Sequence, residues 1–171
     1  NASFSLVMPD KERLQIVKSR QVQMQSAVVW IGTIAGDDRS TVTLSVGKTS
    51  VVGTIASSRG PLYRLRLWKR DLHVVELVDA AKFPDEPAPR SIARRLLRAH
   101  AVGSDPGSGA CTDSQQIDVM VAYTDDARCK APGTEQMELK VYEAIEQANE
   151  TYIRGNVAQR LRLVHLGDAK I

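Results

Sequence analysis

Several of the residues and runs that announce a function are scarce or missing in this chain. Its 171 residues include three histidines, His73, His100 and His165, and no pair of them stands four apart around a glutamate. That removes the helix by which zinc hydrolases most recognisably hold their metal, since zinc needs three or four His, Cys or carboxylate ligands brought together. The three histidines fall in different predicted elements and are read as ordinary surface or core residues, so no metal ligand is assigned. No Gly-x-Ser-x-Gly elbow and no Gly-rich phosphate loop precedes a helix, and no catalytic or cofactor-binding residue is assigned either. Apolar runs are strand-sized, and none approaches the roughly 18 to 20 residues of a membrane-crossing helix; no membrane partner is expected. Aromatics make up 5% of the chain. The exposed aromatic and glycine patterns of nucleic-acid-binding barrels are missing with them, and no nucleic-acid partner is expected.

Cysteine is limited to Cys111 and Cys129. A bond between them would wrap the strand that follows Cys111, and the chain-entropy model gives a loop of that size roughly 3 kcal/mol. Two thiols are also common in reducing compartments. The chain opens on Asn1 rather than Met, so an upstream segment is expected to have been removed, a secretory signal peptide among the candidates.

Charge is present in quantity and unevenly placed. Residues 1–110 hold 16 Lys/Arg against 10 Asp/Glu, whereas residues 111–171 hold 7 against 10. Opposite fields favour docking of one part on the other, although screening over about 8 Å makes this a preference only.

To about Asp79 the sequence reads as successive strands: Phe4 to Met8, Leu14 to Val17, Ala27 to Ile34, Thr41 to Val46, Val51 to Ile55, Leu62 to Trp68 and Leu72 to Val78. Turn signals such as Pro9-Asp10, Gly36-Asp37-Asp38 and Gly47-Lys48 separate them. Short strands at this spacing predict an antiparallel sandwich, barrel or strongly curved sheet. Tyr63, Leu65 and Leu67 alternate with Leu62, Arg64 and Arg66, as Val42 and Leu44 do with Thr41 and Thr43, which predicts one buried and one wet face. Trp30 and Trp68 are read as large core or rim residues.

Three prolines between Ala80 and Pro89 mark an extended connector. Ser91 caps a predicted helix to about Ala101 that carries Arg94, Arg95 and Arg98. Its basic face is a solvated docking face or, at Arg94-Arg95, a maturation site open to proteases. Gly103 to Gly109 reads as a flexible linker.

The last part reads as α/β. Ile117 to Thr124 suits a buried strand. Thr134 is a plausible N-cap of a helix with Met137, Val141, Ala144, Ile145, Ala148 and Tyr152 on one face. Leu161, Leu163 and His165 share one face of a closing strand, and a right-handed parallel crossover is allowed. Asn1-Ala2-Ser3 and Asn149-Glu150-Thr151 fit the glycosylation pattern and are given no role. The expected class is thus α+β, with a β-rich domain over 1–89, a basic helix and linker over 90–110, and an α/β segment over 111–171.

The run from Ile117 to Thr124, the sequence Ala148-Asn149-Glu150-Thr151-Tyr152 and Leu161-Arg162-Leu163-Val164 resemble the opening strand, helix and strand of metzincin-type zinc endopeptidases. The likeness is to bacterial reprolysin-like and peptidyl-Asp metallopeptidase precursors. Trp30-Ile31-Gly32, Gly36-Asp37, Val42 to Val46, Val52-Gly53-Thr54-Ile55, Tyr63-Arg64-Leu65 and Phe83-Pro84 are similar to the pro-region of such precursors. The resemblance implies the N-terminal portion of a secreted, bacterial zinc endopeptidase precursor. Its pro-region would be inhibitory and folding-assisting, and its partners would be the remainder of the catalytic domain and, for the parent, protein or peptide substrates. The zinc helix, third ligand and methionine turn of the family would lie beyond Ile171, so the zinc is expected in the complete parent and no cofactor in this chain. Cys111 could also serve such a parent as a thiolate on its zinc, but Gly109-Ala110-Cys111-Thr112-Asp113 does not match the cysteine-switch motif of matrix metalloproteases. The other reading is a stand-alone binding or inhibitor protein derived from such a precursor.

Overall fold

The structure is a computed structural model, and it describes residues 2–82 and 115–169. The described residues up to Val78 and from Gln115 onward form one compact unit. Seven strands run in chain order across a single antiparallel sheet: β1 (Ser3–Val7), β2 (Arg13–Gln23), β3 (Val28–Ile34), β4 (Asp37–Val46), β5 (Val51–Ala56), β6 (Leu62–Lys69) and β7 (Leu72–Val78). Alternation and turn chemistry place these strands. At the β3–β4 hairpin Gly36 takes φ +82°, a conformation that costs a residue with a Cβ.

One face of the sheet curls over its own apolar side chains. Met8, Ile16, Ile34, Val42, Leu44, Ile55, Tyr63 and Leu65 are buried there, with Phe4, Trp30 and Val75 packed at the margin. Of the three forms expected, the sheet takes the strongly curved one.

The second part lies on the opposite face. After β8 (Gln116–Tyr123) come the short helix α1 (Asp125–Lys130), the long helix α2 (Thr134–Arg154) and β9 (Arg160–Asp168), which pairs with β8 in parallel. Thr124 caps α1 by accepting from the Ala127 N–H. At α2 the N-cap is Gly133 rather than Thr134, which is the first helical residue.

The second compact unit contributes Asp79–Lys82 to the described residues, as a single 3-10 turn over Ala80–Lys82. The predicted basic helix with Arg94 and Arg95, the Gly103–Gly109 linker and Cys111 lie outside the described residues.

Candidate functional site

The face expected to be wet is where α2 sits. Thr43 and Ser45 are fully buried beneath it. A bulge in β2 makes this possible: Lys18 pairs with Gly32 and Arg20 with Ile31, so Ser19 is an extra residue. Such an insertion reverses which side chains face which way. Ile16, before the bulge, belongs to the curled core, while Val22, after it, packs under the helix. Arg20 turns to the helix side with Val22.

A small apolar cluster anchors the helix. Leu139 and Tyr142 are buried against Ala27, Val29, Ile31 and Val52, with Leu163 and Leu166 of β9 alongside. Around it the seam is polar. At the helix start Glu135 accepts from the Thr49 N–H at 3.0 Å and from the Thr49 hydroxyl, and Gln136 donates to Ser50. Gly47 leaves room for this approach, because a Cβ there would lie 2.3 Å from Glu135 Oε1. Further along, Ser26 donates to Glu138 at 2.8 Å and Thr54 donates to Glu143. Arg20 reaches Glu146 at 2.9 Å and Glu150 at 3.5 Å. At the helix end Arg154 donates to the carbonyls of Arg39 and Ser40 at 2.8 and 2.7 Å.

The seam is incompletely packed. A cavity of about 280 Å³ lies between Thr43, Thr54, Gln147 and Arg154. Thr43 Oγ1 and Ser45 Oγ are buried and have no hydrogen-bond partner among the described residues. A second cavity, of about 330 Å³, opens between Arg64 and Arg66 of β6 and Lys140 and Glu143 of α2. Burial pushes the Glu143 carboxyl up from its ordinary range, against the Thr54 hydrogen bond and the charges of Arg64 and Lys140. Burial likewise lowers the Lys140 ammonium, aided by Arg64 and Arg66. Glu135 is held below the usual carboxylate range, chiefly by the Thr49 hydroxyl.

The helix face therefore differs from the apolar stripe expected of it. Of Met137, Val141, Ala144, Ile145, Ala148 and Tyr152, only Ile145 is buried, and Ala144 is exposed. Gln136, Leu139, Tyr142, Glu143, Glu146 and Asn149 are buried with it. They recur at helical spacing, but mostly as polar types, because the sheet offers hydroxyls and an arginine. A count of apolar residues passes over such a face.

Asn149 holds the third layer. Its Oδ1 accepts from the Leu161 N–H at 2.7 Å and its Nδ2 donates to the Leu161 carbonyl at 3.0 Å, as a neighbouring strand would. With both amide atoms engaged and the residue buried, the Asn149 sequon is closed to a glycan. Asn1 of the other sequon lies outside the described residues.

The strand expected to be buried, β8, is largely exposed. Among the described strands it pairs only with β9, and Ile117 and Met120 are 44% and 70% exposed. In β9 the register shifts at Val164, so Leu161, Leu163 and Leu166 align with Ile117, Val119 and Val121. His165 falls opposite Met120 and is exposed, rather than sharing a face with Leu161 and Leu163.

The remaining candidates are scattered. Cys129, in α1, is exposed and meets no second cysteine among the described residues; Cys111, with which a bond was expected, lies outside them. His73 accepts from the Val51 N–H through Nε2 at 2.9 Å, and His100 lies outside the described residues. Trp30 stacks obliquely on Phe4 with ring centroids 5.1 Å apart, whereas Trp68 is 60% exposed. Among the described residues no three His, Cys, Asp or Glu side chains converge as a metal site. With His73 Nε2 also engaged, these residues do not fit a zinc ion, and no chemical step runs through one. No protein-family model, no curated protein and no solved structure matches the chain.

Proposed function

We propose that the chain is the N-terminal portion of a secreted zinc metalloendopeptidase precursor. In this reading β1–β7 is the pro-like domain, and β8, α2 and β9 are the first strand, helix and strand of the peptidase domain. The seam between sheet and helix is the observation that carries it. Contacts that must later be surrendered are more polar than permanent cores, and they tolerate imperfect packing. This seam has a small apolar anchor, a row of hydroxyl, carboxylate and arginine contacts, and two cavities. Its role would be to hold α2 and the two strands in register while the rest of the domain assembles, and to restrain that domain until the sheet leaves.

The bare parallel pair supports the same reading. Parallel sheets are ordinarily covered on both faces, and an isolated pair is a poor stopping point. Further strands beside β8 or β9, supplied by the remainder of a catalytic domain, would complete the layer. Zinc in this reading is bound by that remainder.

The test is to follow the reading frame past Ile171 and express the longer product with and without the sheet. A His-Glu-x-x-His helix downstream, and peptidase activity that rises when the sheet is cleaved away, are expected. A stop codon at that point, or stoichiometric tight zinc in the 171-residue chain, overturns the proposal.

A binding protein derived from such a precursor is the second reading. It is favoured by an apolar cavity of about 410 Å³ in the curled face, lined by residues that include Phe4, Trp30, Leu44 and His73. Saturable quenching of Trp30 by an apolar probe, in a Trp68→Phe background, would support it; an unchanged spectrum would remove it.

A further inference from the structure

The cavity between β6 and α2 brings three cations together. Arg64 and Arg66 come from the sheet and Lys140 from the helix, with Glu76, Glu143 and Gln147 completing the wall. Arg66 is already committed, its Nε donating to Glu76 Oε2 at 2.8 Å and its Nη2 to the other carboxylate oxygen. The Arg64 and Lys140 side chains, both at the exposed mouth of the cleft, make no hydrogen bond and no ion pair among the described residues. Glu143 supplies them a counter-charge, its Oε1 also accepting from Thr54 and from Gln147, but with Glu76 taken by Arg66 it is left to face both cations. Convergence of like charges disfavours the charged forms, and an anion placed between them relieves that repulsion. The lowering of the Lys140 ammonium by Arg64 and Arg66, after burial, registers that surplus of positive field.

We infer that this cleft binds a small oxyanion, an inorganic phosphate or a polycarboxylate, between the Arg64 guanidinium and the Lys140 ammonium. Arginine and lysine are the side chains suited to that chemistry, the first as a planar fork and the second as a point charge. Because Arg64 belongs to the sheet and Lys140 to the helix, a bound anion ties the two together. It stabilises the docked arrangement by mass action, with an effect that grows as the logarithm of ligand concentration. This site stands whether or not the chain is part of a peptidase precursor.

Thermal unfolding of the 171-residue chain, titrated with phosphate or citrate at constant ionic strength made up with sodium chloride, tests it, and calorimetric titration supplies the affinity directly. At least one anion is expected to raise the unfolding midpoint saturably. The stronger of the two identifies the ligand as tetrahedral phosphate or carboxylate. Arg64→Gln and Lys140→Gln should each weaken the affinity by roughly tenfold, the loss expected for one charge-assisted hydrogen bond. Glu143→Gln should tighten it, because it removes the competing carboxylate. Affinity is read from the concentration dependence, so a variant of lower stability still reports. Midpoints that match those in chloride, or three variants that titrate like the parent chain, would overturn the inference.

Discussion

The two faces of the seven-stranded sheet are covered by different chemistry. On the curled face eight buried hydrophobic residues close on one another, and strands from β2 to β6 contribute to the cluster. On the other face α2 rests on a smaller apolar cluster and is otherwise held by hydroxyls, carboxylates and arginines. Burial of apolar surface is non-directional and hard to reverse piecemeal, whereas a polar row depends on geometry and on the charge state of each partner. A sheet so built is expected to remain folded if its helix is released.

Matched truncations on the two faces would break that comparison most directly. Ile55 is fully buried in the curled core and Leu139 is 1% exposed under the helix. Each, changed to alanine, is expected to cost about 2–5 kcal/mol through lost transfer energy and a residual cavity. The consequences should differ in extent. Ile55→Ala should lower hydrogen-exchange protection throughout the unit, while Leu139→Ala should lower it in α2, β8 and β9 and leave β3–β5 protected. Uniform loss in both variants would make the two faces one cooperative core.

Asn149→Ala should cost about 2–3 kcal/mol, since it removes two hydrogen bonds to Leu161 and a longer one to Glu146, and leaves the Leu161 amide and carbonyl facing a methyl group. Its effect should centre on β9, read as faster exchange from Leu161 onward. Arg20→Gln comes next, at about 2 kcal/mol. It leaves Glu146, whose side chain is 6% exposed, without its cation; the figure is set below that of a wholly buried pair because Arg20 is about one-third exposed. Denaturation monitored separately by α2 and by the sheet should show the helix leaving first. A variant that loses both together would count against a separable seam.

The strands were legible in the sequence because alternation and turn residues are local signals. Val42 and Leu44 against Thr41 and Thr43 fix the orientation of β4, and Gly36 marks the hairpin before it. What failed was local reading where tertiary context decides. The strand expected over Leu14 to Val17 continues to Gln23, which the sequence hid because the bulge at Ser19 breaks the period and the residues beyond, Val22 apart, are polar. Helix α1 escaped notice because it has six residues and buries none. The opposite charges of the two parts were readable, and Arg20 with Glu146 and Glu150 is one place where they meet. The seam residues themselves were not, because Glu143, Glu146 and Asn149 look like a solvated face until threonines and an arginine are laid against them.

The smallest effect expected is one of pH, and it separates the two ends of the seam. Glu143 has its carboxyl raised by burial, so the folded chain holds that proton more tightly than the unfolded chain. The stabilisation is complete below the ordinary carboxylate range and is lost as pH rises through the raised value. Glu135 has the opposite sign. Its carboxyl is lowered by the Thr49 hydrogen bonds and by Lys48, so its contribution is present above the ordinary range and is lost as pH falls through the lowered value. Thr54 and Arg64 of the sheet and Lys140 and Gln147 of the helix face Glu143, and the Arg66–Glu76 pair closes the same cleft. The melting midpoint of the parent chain should therefore fall on the alkaline side of the Glu143 titration and, separately, on the acid side of Glu135. Glu143→Gln should flatten the upper limb and leave the lower one, and Glu135→Gln should do the reverse. An upper limb unchanged in Glu143→Gln would mean that the buried carboxyl does not govern the seam, and the polar face would then owe its pH response to exposed charges alone.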